Sequence, residues 1–316
     1  MTQLFLFLRA STTGLWRGVT RPLPRPTWTR RQAIAVQTVR AFLEQLQGRS
    51  GAEQQQLLTF PRRPLPRDLD TYEAPLAGRD ALWLVPPQGF TTTWLHFHGG
   101  GYVIGHPSDA LPYLSRVARM AGVRVISLDY RLAPQHPFPA ALDDACAAVQ
   151  ALLDEGTPPE ALFLGGDSAG GGLALATLLR LRDEGLPKTA GAVLGSPWLD
   201  LNPEGHSDQS ASPSADFLAP GTADTWRQLY LGDTDPQTPL LSPGRCSLHD
   251  LPPLLFLAGQ AEALAPQISR AAQSATSAGV ETELIVGTDA VHTWYMLPGL
   301  LPGPDILPSI VAFLDR

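Results

Sequence analysis

Residues 161–172 read Ala161-Leu162-Phe163-Leu164-Gly165-Gly166-Asp167-Ser168-Ala169-Gly170-Gly171-Gly172, followed by the apolar, helix-forming run Leu173-Ala174-Leu175-Ala176-Thr177-Leu178-Leu179. Ala161–Leu164 has the composition of a short buried strand, so the chain turns from strand to helix within a few residues. Glycines flank the serine at two-residue spacing, Gly166-Asp167-Ser168-Ala169-Gly170, the Gly-x-Ser-x-Gly pattern of a nucleophile elbow in its strand–turn–helix context. Such a turn strains the serine backbone, and its neighbours must lack side chains for strand and helix to pass closely. The helix N-terminus adds free N–H groups and a dipole that favour developing negative charge. A plain glycine-rich turn is the competing reading. The rest of the chain decides between them.

Working outward, the same strand–helix rhythm recurs. Upstream, Thr91–Phe97 is a strand by composition that ends in His98-Gly99-Gly100-Gly101-Tyr102, a helix pattern covers 108–121, and Val123–Leu128 is the next buried strand. Ala140–Leu153 reads as a helix, Gly191–Leu194 as a strand, and Leu254–Leu257, Ala265–Ala278, Glu281–Val286 and Ile306–Leu314 continue the alternation. Strands alternating with helices predict an α/β fold: a mostly parallel sheet with helices on both faces. Residues 200–245 lose the rhythm, are rich in Ser, Pro, Asp and Gly, and hold one expected helix, Ala223–Leu231. They read as an insertion over the strand C-terminal ends, where ligands bind in such sheets. Residues 1–50 predict two helices separated by Pro22, Pro24 and Pro26, the second starting near Thr27 or Thr29, and residues 51–67 read as a linker.

Charge is unevenly placed along the 316 residues. Net charge is −7, yet residues 1–67 carry eleven arginines against Glu44 and Glu53. A basic arm on an acidic body docks onto it or meets an anionic membrane surface, and docking is the favoured expectation because prolines break the arm into short pieces. No motif supports nucleic-acid binding. Two cysteines, Cys146 and Cys246, give neither a metal-ligand spacing nor a disulfide framework, which suits a thiol-tolerant compartment. The apolar run Leu4–Leu8 stops at Arg9, too short for a signal-peptide core, and the expected location is the cytoplasm.

His98-Gly99-Gly100-Gly101 closes a strand where an acyl-transfer enzyme needs an oxyanion hole. Backbone N–H groups of Gly99, Gly100 and Gly101 are left uncovered, and Ala169, just after the nucleophile, supplies another donor. No Gly-Lys-Ser/Thr follows, so a phosphate loop does not fit. His98 itself reads as a loop-organising residue. His96 and His98 share a strand face with no third ligand nearby, so no metal site is expected.

Taken in order, His98-Gly99-Gly100-Gly101-Tyr102, Asp129-Tyr130-Arg131-Leu132-Ala133-Pro134, Pro137–Asp144, Gly166-Asp167-Ser168-Ala169-Gly170-Gly171, Ser196-Pro197-Trp198-Leu199-Asp200-Leu201 and Leu241-Ser242-Pro243 resemble the hormone-sensitive-lipase-like branch of the α/β-hydrolases, a family of microbial carboxylesterases. The resemblance covers about residues 70–316, and the first 60 match only as that family's variable N-terminal cap. It implies an α/β-hydrolase fold with a helical cap: a cap segment and linker over 1–60, and a catalytic domain over 61–316 with the cap insertion at about 200–245. It also implies a small ester substrate, no cofactor and a possible homodimer through the last strand, although Glu281 and Glu283 could equally protect that edge from pairing.

In such hydrolases the order is serine, acid, histidine. Of the histidines after Ser168, His206 lies in the insertion and His249 precedes a strand. His292 follows the last strand, where a loop can return an imidazole to Ser168. The family usually has an Asp-Pro-Leu for the acid. Here Gly259-Gln260-Ala261-Glu262-Ala263-Leu264 resembles a variant of it, with Glu262 thirty residues before His292 and Asp289 the rival. Tyr102, Trp198, Phe217, Trp226, Trp294 and Tyr295 form the expected aromatic substrate set. Arg131, Asp143, Asp144 and Asp200 read as salt-bridge and capping residues, and Asp167 as a brace for the elbow. An amide hydrolase on the same parts (an arylformamidase or deacetylase) and a non-catalytic ligand receptor remain alternative readings.

Overall fold

The computed structural model describes residues 2–58, 64–202, 215–218 and 221–316. Eight strands, β1 (Asp70–Leu76), β2 (Arg79–Val85), β3 (Thr93–Phe97), β4 (Arg124–Leu128), β5 (Leu162–Asp167), β6 (Gly191–Gly195), β7 (Leu254–Gly259) and β8 (Thr282–Gly287), form one sheet in the order β1-β2-β4-β3-β5-β6-β7-β8. β2 runs antiparallel to both β1 and β4, and all the other pairings are parallel. This is the mostly parallel α/β sheet expected from the rhythm. The strands alternate between two apolar layers. Leu162, Leu164, Ala192, Leu194, Leu254 and Phe256 face one core. Phe163, Val193, Leu255 and Leu257 face the other. A period of two thus runs through strands that are apolar on both faces, which is why they read as unbroken hydrophobic runs.

Helices cover both layers. α5 (Ala140–Asp154), α6 (Ala169–Asp183) and α8 (Ala265–Ser277) supply the first, and α4 (Leu111–Ala121) and α9 (Leu307–Leu314) the second. The motif acids pair as the sequence suggests: Arg131 with Asp144 at 2.7 Å, Arg180 with Asp143 at 2.5 Å, and Arg245 with Asp200 at 2.8 Å. β8 is a sheet edge, where Arg316 meets Glu281 at 2.7 Å and Glu283 at 3.2 Å.

The N-terminal arm docks. α1 (Thr2–Thr20) lies against α2 (Arg30–Glu44), and a Cβ on Gly14 would sit 2.1 Å from Thr38 Oγ1. Thr29 starts α2 with a capping box: its hydroxyl accepts from Gln32 N–H at 3.2 Å and Gln32 Oε1 accepts from Thr29 N–H at 2.9 Å. α2 places Ala33 and Val36 in one core layer and Ala41 and Phe42 in the other, where Leu46, just past its end, joins them.

Residues 51–58, expected to be linker, are instead helical (α3, Gly51–Leu58). Ser50 and Glu53 make a second capping box, with Ser50 N–H donating to Glu53 Oε2 at 2.8 Å and Glu53 N–H to Ser50 Oγ at 3.3 Å. The glutamines that gave the stretch its polar look hold it to the body. Gln55 donates to the Val103 and Ala133 carbonyls, both at 2.9 Å, and Gln54 accepts from Trp226 Nε1 at 2.8 Å. Within the expected insertion, α7 (Thr222–Leu231) forms as anticipated, while His206 lies outside the described residues.

Candidate active site

Ser168 is the single residue between β5 and α6. Its φ of 56° and ψ of −118° are disfavoured for a residue with a side chain, a strain that surrounding structure must hold at a cost of about 1–3 kcal/mol. The holding contacts are backbone ones. Ser168 N–H donates to Gly195 O at 2.8 Å, and Ser168 O accepts from Gly172 N–H at 3.1 Å and Trp198 N–H at 2.9 Å. The flanking glycines are sterically required: a Cβ on Gly166 would lie 2.4 Å from the Gly170 carbonyl carbon, and one on Gly170 2.0 Å from Phe97 O. Ser168 remains partly accessible while Asp167 and Ala169 are buried.

Beneath the elbow, Asp167 accepts from His96 Nε2 at 2.8 Å and from the Tyr295 hydroxyl at 2.6 Å, and His96 Nδ1 lies 3.4 Å from Ser127 Oγ. With both ring nitrogens and both carboxylate oxygens occupied, this group braces β3, β5 and the loop after β8.

The glycine loop after β3 passes directly beside the nucleophile, since a Cβ on Gly99 would sit 3.5 Å from Ser168 Cβ. Gly100 and Gly101 have φ of 115° and 62°, and Tyr102 shares the positive range at 63°. The N–H groups of Gly99, Gly100, Gly101 and Ala169 donate to no backbone carbonyl among the described residues. His98 organises this loop. Its Nδ1 meets Gly99 O at 2.8 Å, its ring stacks on Tyr130 at 4.3 Å, and the Tyr130 hydroxyl donates to His98 O at 2.7 Å. Burial pushes the His98 pKa down to about 3, so the ring is neutral and not a proton carrier at ordinary pH.

His292 and Glu262 come from the loops after β8 and β7. Glu262 Oε2 lies 3.1 Å from His292 Nδ1, its Oε1 accepts from Gly259 N–H at 3.0 Å, and both side chains are buried. Ser196 also hydrogen-bonds Glu262, and its hydroxyl accepts from Thr293 N–H at 3.1 Å. Burial raises the Glu262 pKa against the pull of His292 and Ser196. For His292, burial acts downward, but the hydrogen bond and charge of Glu262, with Asp216 and Asp167 nearby, outweigh it and leave the pKa above 6.5. Asp289, the rival acid, is turned to the N-terminal arm: it accepts from Thr27 Oγ1 at 2.5 Å and faces Arg25 at 3.7 Å. His249 is bonded to Ser247 at 2.9 Å, on the segment preceding β7.

Asp216 went unread in the sequence. Its Oδ2 accepts from Ala263 N–H at 2.9 Å, and its Oδ1 from Phe217 N–H at 2.8 Å and His292 N–H at 3.3 Å. One carboxylate thereby ties together the loops that carry Glu262 and His292. Burial raises its pKa against the charge of His292 and those three donors. It sits in a Ser-, Pro- and Gly-rich stretch without periodicity, where no spacing marks it out.

Four of the six expected aromatic residues gather here. Phe217 sets its edge against His292 at 5.7 Å, Tyr102 stacks on Tyr230 at 3.8 Å and lies 6.2 Å from Trp198, and the Trp226 ring would be 2.2 Å from a Cβ on Gly101. Trp294 and Tyr295 require correction as substrate-facing residues. Trp294 is buried in the α4/α9 layer with its Nε1 on Pro304 O at 2.9 Å, and the Tyr295 hydroxyl is committed to Asp167. Between them and His292 the loop turns at Thr293, whose φ is 46°.

A strained serine between strand and helix, a glycine loop beside it and a histidine–carboxylate pair from the next strand ends define a class, and comparison with known proteins agrees. The alpha/beta hydrolase fold family matches residues 94–296. An acetyl-hydrolase from Streptomyces hygroscopicus is 41% identical over 224 residues, covering 70% of this chain and 74% of that one. Esterase LipI of Mycobacterium tuberculosis is 30% identical over 269 residues, covering 79% and 83%. The crystal structure of an esterase from the bacterial hormone-sensitive lipase family superposes with a TM-score of 0.75 at 34% identity, covering 98% of this chain and 97% of that one. The chain belongs to the α/β-hydrolase family, in its hormone-sensitive-lipase-like branch, and is a carboxylic ester hydrolase.

Proposed function

We propose that Ser168, His292 and Glu262 carry out two-step acyl transfer on short- to medium-chain acyl or aryl esters. His292 Nε2 takes the hydroxyl proton as Ser168 Oγ bonds to the ester carbonyl carbon, and the carbonyl electron pair moves onto oxygen. That oxyanion is received by N–H groups of Gly99, Gly100, Gly101 and Ala169. Collapse breaks the bond to the alcohol oxygen, which leaves with the proton from His292. A water molecule, deprotonated by His292, then releases the acid and restores Ser168. Glu262 holds Nδ1–H and offsets the positive charge of the imidazolium.

The observation that carries this reading is the 3.1 Å pairing of His292 Nδ1 with Glu262, on loops at the same C-terminal end of the parallel strands as Ser168. Tyr102, Trp198, Phe217 and Trp226 supply the apolar walls, and the helices of residues 1–58 together with α7 act as the cap that chooses the substrate. An acetyl-hydrolase among the relatives favours a short acyl group. Labelling with an organophosphate, read by intact mass and peptide mapping, should place one adduct on Ser168. No adduct there would remove the acyl-enzyme reading. A matched ester and anilide, compared by kcat/KM, should show the ester strongly preferred, whereas equal rates would make the chain an amide hydrolase as well.

A further inference from the structure

One face of α1 is covered by nothing among the described residues. Its inner face is spent on packing: Leu6 and Ala10 are buried, and Gly14 and Gly18 lie against Thr38 and Ile34 of α2. On the outer face Leu8, Leu15, Trp16 and Val19 recur at helical spacing and are 53–61% exposed, with Phe7 at the margin at 52%. Five of the twelve large apolar residues exposed among the described residues therefore lie on this one helix, a concentration that marks an interaction surface rather than scattered exposure.

Charge identifies what covers it. No acidic residue precedes Glu44, while residues 1–43 contain seven arginines. Glu44 is occupied on the inner side by Arg17 at 2.7 Å and Arg40 at 3.3 Å. Arg9, Arg21, Arg30 and Arg31 are exposed, and none meets a carboxylate among the described residues. Arg30 instead donates to the Gly18 and Arg21 carbonyls at 3.1 and 2.6 Å, which fixes it at the C-terminal end of α1. Arg9, seven residues from Trp16, shares that residue's side of the helix.

An apolar helix face bearing a tryptophan, on a helix whose only charged residues are arginines, has the composition of an interfacial helix, which lies in the headgroup plane of a bilayer. A second copy of the chain is the poorer occupant, because self-pairing would bring two uncompensated cationic arms together. The helix is not a span: no helix among the described residues is long and apolar enough to cross a membrane. We infer that α1 docks the enzyme, through Leu8, Leu15, Trp16 and Val19 with Arg9 and Arg21, onto an anionic lipid surface. The acidic remainder of the chain then faces away, so binding has a fixed orientation and weakens as salt screens it.

Flotation of the full chain with vesicles tests this. Wild-type protein should rise with phosphatidylcholine–phosphatidylglycerol vesicles and stay behind with pure phosphatidylcholine. The double variant Leu15→Ser/Trp16→Ser, with unchanged circular dichroism and melting temperature, should partition at least about thirtyfold less, since two large apolar side chains no longer enter the interface. Arg9→Gln and Arg21→Gln should each weaken binding by about fivefold. Wild-type protein that fails to float, that floats equally with uncharged vesicles, or whose flotation survives the double variant would overturn the inference. So would a lipid-free dimer that the double variant dissociates, which would give the face to a second copy.

Discussion

The molecule holds two buried histidine–carboxylate pairs, and the proposed mechanism gives them different work. His96 and Asp167 meet at 2.8 Å, His292 and Glu262 at 3.1 Å. In the first pair every polar atom is used: Ser127 faces His96 Nδ1 and the Tyr295 hydroxyl takes the second oxygen of Asp167. In the second, Glu262 is likewise saturated, but Nε2 of His292 has no hydrogen bond among the described residues. A fully satisfied polar group in the core rigidifies what it joins. One with a single vacant ring nitrogen can move a proton. In the proposed mechanism that one unoccupied atom separates the base from the brace.

The comparison breaks most sharply at Glu262. Glu262→Gln should lower kcat about 10³–10⁴-fold, because the neutral amide no longer enforces the Nδ1–H tautomer or compensates the imidazolium, while the melting temperature changes little. Asp289→Asn should leave kcat near wild type. The reverse pattern in steady-state kinetics would transfer the acid to Asp289 and with it the meaning of the Thr27 and Arg25 contacts. Changes at Asp167 should act on the fold instead. Asp167→Ala leaves His96 and Tyr295 without their common acceptor, two buried hydrogen bonds lost at about 1–3 kcal/mol each. Denaturant unfolding should register that loss. Tyr295→Phe, which removes one hydrogen bond to a buried charge, should cost about 1.5–3 kcal/mol with KM unchanged. A raised KM would return Tyr295 to the substrate wall.

What could be read in the sequence follows from how local its causes are. The elbow is set by sterics within five residues, so Gly166-Asp167-Ser168-Ala169-Gly170 announces itself. Strands buried on both faces read as apolar runs, so the sheet was legible too. α3 was missed although Ser50 and Glu53 spell its capping box, because the glutamines that dock it suggested solvent. Trp294 and Tyr295 were misplaced for the opposite reason. They follow His292 closely in the chain, but Thr293 between them takes a left-handed turn, and a backbone angle leaves no mark on composition. Asp216 was out of reach altogether. Two of its three partners lie 47 and 76 residues downstream, and only the folded chain brings those N–H groups to one carboxylate.

Asp216 also offers the finest test of the difference between the two pairs, since it acts on the base without touching its ring. Its charge is one of the influences that hold the His292 pKa above the ordinary imidazole value. In its proposed role as general base His292 must be neutral, so the acid limb of kcat/KM should lie on the alkaline side of an ordinary imidazole in the wild type. Asp216→Asn removes negative charge beside the imidazolium, which lowers that pKa and moves the limb to lower pH. The same substitution sets an amide N–H₂ against one of three backbone donors. A loss of kcat of roughly fivefold, the worth of one hydrogen bond of about 1 kcal/mol, should accompany the shift. The two effects separate on a pH–rate profile: structural damage alone would lower the plateau and leave the limb where it was. A limb that stays in place would confine Asp216 to tethering the loops, and Glu262 would then be the carboxylate whose charge the base feels.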